Sequence, residues 1–328
     1  MIQRVIYLFF SSLKKWGIFS LIFTLFSIQA EEVFPEWNQV LNSLSQDEKI
    51  PLEMFFRTMM VNSEGGFVLF GSKPSCIEGI IVPETCKIEW IGRRNHRKSV
   101  DLWEGYQVWQ KYFASLKSSQ LLISVKQQPN HLYSDWIHLI WINPKKFKAV
   151  ISENLSLFQY VLGPDITSQG LLDYLADPAH DILEDYSLQG ILLGFGAENS
   201  LYYRRLELIE KELYSKEHAP FKAKYERLDI PDPCNGLYMG FDLIPTLDIT
   251  PSFKYPTLAQ EYQNLLNIRS SSLKNRNQQI NSIPMFAIFK NDEKTVQILL
   301  DYEIDRLKLQ ELLAQDNFLE QTLKIIFE

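Results

Sequence analysis

The chain holds only three cysteines, Cys76, Cys86 and Cys234, and it has no C-x-x-C, no Cys/His pair at ligand spacing and no H-E-x-x-H. Tetrahedral zinc sites are built from such spacings, so no metal is expected. Glycine is missing where a dinucleotide loop would need it. Gly194 and Gly196 match the first two glycines of a G-x-G-x-x-G turn, but Asn199 stands at the third, after a helical rather than a strand pattern. No cofactor is expected. Positive charge is in deficit as well, with 33 Lys and Arg against 40 Asp and Glu. A chain of that sign repels a phosphate backbone, which argues against nucleic acid as partner. No internal repeat and no sustained heptad is present, so a solenoid or a long coiled coil is excluded.

What the chain does have is a distinctive beginning. Arg4, Lys14 and Lys15 are the only charges in residues 1–30, and the uncharged run Trp16–Ile28 follows them. A basic segment before a short apolar one is the order of a secretory signal. Thirteen residues fall short of the roughly 20 that span a bilayer as a helix. Ala30 supplies a small residue for cleavage, while the bulk of Ile28 two positions earlier leaves an uncleaved inner-membrane anchor as the alternative. Membrane contact is expected only through this segment. Removing it leaves 298 residues with 30 basic and 40 acidic side chains, a net charge of minus 10. The expected location is the periplasm, the envelope or the exterior. In an oxidising compartment Cys76 and Cys86 are candidates for a disulfide across a turn at GIIVPET, with Cys234 left over; three reduced thiols are the other reading.

With 46% apolar and 13% aromatic residues, the body is expected to be folded. The pattern predicts an α+β fold, a helix-rich single domain over 31–328 with a small, mostly antiparallel sheet, interrupted by a long Pro-rich loop at 218–256. In order, 33–63 reads as two helical pieces, the second starting at Pro51. FVLF at 67–70, KIEWIG at 87–92, LLISVKQ at 121–127 and WIHLIWI at 136–142 read as strands, the last two as a hairpin. A helix is expected over 100–117. Asn143 and Pro144 cap and open another that reaches Gly163, and two more cover 167–176 and 178–193, the second capped by Asp177. A polar helix runs from Thr257 to about Asn275, and IPMFAIF at 283–289 is a short strand able to join the sheet. Asn291 caps the last long helix, whose apolar stripe, Val296, Leu299, Leu300, Ile304, Leu307, Leu312 and Leu313, is expected to face the core. NFLEQTLKIIF closes the chain as one more amphipathic segment.

Several clusters carry chemistry on paper. GRRNHRK at 92–98 gathers five potentially cationic residues and reads either as an anion grip or as a solvated loop. Asp177, His180, Asp181, Glu184 and Asp185 crowd one helix start, where acids also serve the helix dipole. His131 and His138 read as ordinary histidines. The binding candidates are Arg57, Asn62 and Glu64 at the first glycine junction and Glu198, Asn199 and Arg204 at the second, should the two junctions meet. No catalytic residue is identified.

Three runs, MMVNSEGGFVLFGSKP at 59–74, GILLGFGAENSLYYRR at 190–205 and FKNDEKTVQILLDYEIDRLKLQELLAQDNFLEQTL at 289–323, cover a fifth of the chain. Together they resemble a family of uncharacterised exported proteins from chlamydia-like intracellular bacteria. The resemblance implies an envelope or host-facing location and brings no activity and no functional residue. The expected role is an interaction or binding module, with an unknown protein or a small molecule as partner. The alternative is a secreted or periplasmic hydrolase whose nucleophile and base meet only in three dimensions.

Overall fold

The computed structural model describes residues 35–82, 88–127, 136–180, 183, 185–217, 256–271, 284, 286–328. The leader, residues 218–255 of the expected loop, Cys86, Cys234, His131, Asp181 and Glu184 lie outside them. The chain divides into two compact units, residues 1–43 and 44–328. In the first, helix α1 (Glu36–Ser43) follows Pro35 and places Trp37 and Leu41 four residues apart on one buried face.

The second unit is a helix-rich α+β body. Its sheet has three antiparallel strands in the order β1 (Ser75–Ile81), β3 (Trp136–Ile142), β2 (Leu122–Gln127). Ser75 and Leu122 both oppose Ile142, so the hairpin β2–β3 accepts β1 on its free edge. The middle strand reads WIHLIWI because it is covered on both faces, and alternation is lost when neither side meets water. Trp141 points to helix α2 (Gln46–Asn62), where its ring lies 5.7 Å from those of Phe55 and Phe56. Ile140 and Ile142 point the other way, into a cluster with Phe147, Ile151, Phe158, Leu171 and Leu188. That cluster is carried by α5 (Pro144–Glu153), α6 (Leu155–Leu162), α7 (Ser168–Ala176) and α8 (Tyr186–Leu192).

Helix α3 (Gly65–Phe70) follows α2, and α4 (Ile88–Tyr112) follows β1 and packs on α2. The remainder is α9 (Ala197–Glu217), α10 (Pro256–Ile268), the two-residue strands β4 (Ser270–Ser271) and β5 (Ala287–Ile288), α11 (Glu293–Leu313) and α12 (Phe318–Phe327).

The hairpin strands and the Asn143 cap stand where the pattern puts them, while the helix expected over 100–117 starts earlier, at Ile88, and stops at Tyr112. The Asn143 side chain accepts from the backbone N–H of Lys146 and Pro144 begins the helix. Other expectations are corrected. FVLF is not a strand but part of helix α3, buried except at its last residue, Phe70, since a short apolar run fits either element until its surroundings decide. Lys87 lies outside the described residues, and from Ile88 onward KIEWIG opens α4, which also absorbs GRRNHRK into a helix rather than a loop. The first strand is instead SCIEGII, which takes in Gly79–Ile81 from the expected turn. Pro51 does not start a helix; it sits inside α2, which begins after Ser45. The helix expected to run unbroken to Gly163 is divided at Asn154. Asp177 closes α7, and α8 starts later, with Asp185 accepting from the backbone N–H groups of Ser187 and Leu188. The helix from Pro256 ends at Ile268, short of Asn275. The strand expected at 283–289 shrinks to β5, which pairs with β4 and stays apart from the main sheet. Asp292, not Asn291, caps α11.

Candidate functional site

The two glycine junctions do meet, through residues the sequence did not single out. Lys73 lies in the turn between α3 and β1 and is fully buried, 0% exposed. Its Nζ stands 2.5 Å from Glu64 Oε2, 4.6 Å from the centre of the Phe195 ring and 5.9 Å from that of Tyr302. A buried ammonium needs an anion, and ring faces add to its hold. The hydroxyl of Tyr302, on α11, donates to the carbonyl of Gly194 at 2.8 Å. Burial pushes that phenol well above its ordinary range, so it stays a proton donor. Gly194 has φ +83°, and a Cβ there would stand 2.8 Å from the Tyr302 oxygen and 2.9 Å from Pro74 Cδ. Only a glycine passes through this contact. Asp305, one turn along α11 and buried, accepts from the backbone N–H of Ser72 at 2.9 Å and from Lys308 Nζ at 2.8 Å.

The six candidate residues are not gathered around this point. Glu64 is in it. Arg57 faces α12, with its guanidinium 4.1 Å over the Phe318 ring and bonds to Glu53 and the Leu313 carbonyl. Asn62 contributes its carbonyl oxygen to Lys98 at 3.4 Å. Asn199 is buried inside α9. Its oxygen accepts from the backbone N–H groups of Phe289 and Lys290, and its amide donates to Thr295 and to the Phe195 carbonyl. Glu198 is exposed and 3.5 Å from Lys290. Arg204 bonds Glu207 at 2.7 Å and lies 3.9 Å from Asp185. Apart from Asn62, whose contact is through its backbone carbonyl, each of these side chains holds one segment to another, and their partners are other groups of the same chain.

Beside the junction, the Ser63 hydroxyl donates to Glu78, whose other oxygen is 2.7 Å from Lys98 Nζ. Cys76, on β1, is a free buried thiol that burial pushes up from its ordinary pKa; its disulfide candidate Cys86 lies outside the described residues. Lys126 is 1% exposed and donates to the carbonyls of Tyr174 and Asp177 at the end of α7. At the same end the His180 ring stacks on Tyr174. Among the described residues no group of three or more His, Cys, Asp or Glu is placed to hold a metal, and no helix is long and apolar enough to cross a membrane.

The largest departure from expectation is on α11. The stripe expected to face the core does so only in part. Val296, Leu300, Ile304 and Leu307 are 43, 52, 53 and 53% exposed. The buried side of the helix is a second row, Thr295, Tyr302, Asp305, Leu309 and Leu312. The polar members of that row are the ones that bond Asn199, Gly194 and Ser72. The helix therefore turns its two hydroxyls and one carboxylate inward beside Leu309 and Leu312, and four aliphatic side chains outward, where a surface helix carries polar groups. Spaced at four, four and three residues, these four form one continuous apolar row.

Compared with known proteins, the chain matches no family model, no curated protein and no solved structure.

Proposed function

We propose that this chain is an exported protein of the bacterial envelope or host interface that acts as an interaction module, docking a protein on α11. The outward row Val296, Leu300, Ile304, Leu307 is the observation that carries the reading. Isolated exposed apolar side chains are ordinary, but a contiguous row marks an interaction surface. The polar groups at the glycine junctions support it from the other side, because they are engaged in holding the fold. The leader supplies the export half of the reading.

The test is photo-crosslinking in the producing cell, with a photoreactive phenylalanine derivative in place of Ile304. A protein adduct that disappears when Leu300→Glu is added supports docking at this row. A folded chain that gives no adduct at any time of growth ends it.

One contact favours a second reading, a hydrolase. The Ser63 hydroxyl is hydrogen-bonded to a carboxylate, Glu78, and so has a proton acceptor in place. Turnover of fluorogenic ester or peptide substrates that is lost in Ser63→Ala would establish it, and an inactive wild-type protein would remove it.

A further inference from the structure

We infer that the partner on α11 is a second copy of this chain, laid antiparallel across the first; the inference rests on the docking reading above. The charges beside the row choose the occupant. At 3.6 residues per turn, Asp301 and Lys308 fall along one edge of the row and Glu303 and Arg306 along the other. A two-fold axis between Ile304 and Asp305 brings Ile304 against its own copy, with Leu300 and Leu307 seating in the gaps of the opposing row. The same axis sets Asp301 opposite Lys308 of the second copy, and Glu303 opposite Arg306 of the second copy. Each contact occurs twice, as an isologous interface requires. A parallel pairing fails on the same residues: it sets Asp301 against Glu303 and Lys308 against Arg306, like against like at both heights.

Lys308 and Glu303 stand open, 48% and 52% exposed, whereas Arg306 is 15% exposed, so the Asp301–Lys308 pairs carry most of the choice. Lys308 now leans on Asp305 within the helix, so pairing adds a second carboxylate to it without stripping the first. A short row flanked by ion pairs gives a weak, salt-sensitive dimer rather than an obligate one.

The experiment is sedimentation velocity on the full chain as recovered from its cell fraction, over a wide concentration range and at low and high salt. A reversible monomer–dimer equilibrium is expected, weakened by salt. Ile304→Glu should abolish it, with an unchanged melting temperature as proof of folding. Asp301→Lys and Lys308→Asp should each weaken dimerisation at least tenfold, and the double exchange should recover most of it. A chain that is monomeric at every concentration, or a dimer untouched by these changes, overturns the inference. If the Ile304 crosslink is then to a different protein, the docking reading survives without the second copy. If there is no crosslink either, both fall.

Discussion

Lys73 and Glu64 form one ion pair with two unequal members. Lys73 is fully buried, whereas the Glu64 side chain keeps 32% of its surface in water. Removing the anion therefore strands a charge in the interior, and removing the cation leaves a carboxylate that still reaches solvent. Glu64→Ala is expected to cost about 3 kcal/mol or more, the usual loss on breaking a buried pair. Lys73→Met, which keeps the volume and lets Glu64 hydrate, should cost about 1 kcal/mol. Urea unfolding midpoints of the two variants at constant slope check the order, and a larger loss for Lys73→Met would contradict the geometry.

At the scale of elements, α2 and α4 are held together by a polar contact and by a close approach. Ser45 donates its backbone N–H and its hydroxyl to Glu48, and Tyr112 and Lys111 at the end of α4 donate to the same carboxylate. The Tyr112 hydroxyl first, and the Ser45 backbone next, hold the Glu48 carboxyl at about 2 against its usual 4.5. A depressed carboxyl stabilises the fold above its unfolded value and loses that contribution as pH falls through the folded one. The stability difference between wild type and Glu48→Gln should then be full above about pH 4.5 and fade toward pH 2; melting curves across that range test it. The close approach is at Gly105, where a Cβ would stand 2.2 Å from Phe55 Cβ and 2.3 Å from the Pro51 carbonyl oxygen. Gly105→Ala must push two helices apart, since backbone cannot give way as a side chain can. A loss of about 3 kcal/mol, in the range of severe overpacking, is expected from thermal unfolding.

For the whole molecule the leading question is the address. The leader reading predicts a secreted, envelope or periplasmic chain beginning at Glu31 with its net charge of minus 10. N-terminal sequencing of the protein from each cell fraction checks this directly. A start at Met1 in the membrane fraction points to the anchor, and a start at Met1 in the cytosol alone removes the export reading. The acidic body also predicts that the full chain stays soluble and fails to retain nucleic acid at moderate salt.

Caps and periods were legible along the chain. Asn143 with Pro144 and the hairpin strands at 121–127 and 136–142 could be placed from residue types alone, because the contacts that make them join neighbouring stretches of chain. The candidate site was legible only in outline. The glycine junctions were recognised and do adjoin, but Lys73, Phe195, Tyr302 and Asp305 join them, and the one hint was a lysine set between Gly71 and Pro74 after an apolar run. Whether FVLF became helix or strand, and which of two interleaved rows on α11 turned inward, were decided by the tertiary structure. A period states that a face exists and not which way it points. The choice fell to bonds spanning long separations, Tyr302 to Gly194 and Asp305 to Ser72, because a buried hydroxyl or carboxylate without a partner costs more than an aliphatic side chain left in water.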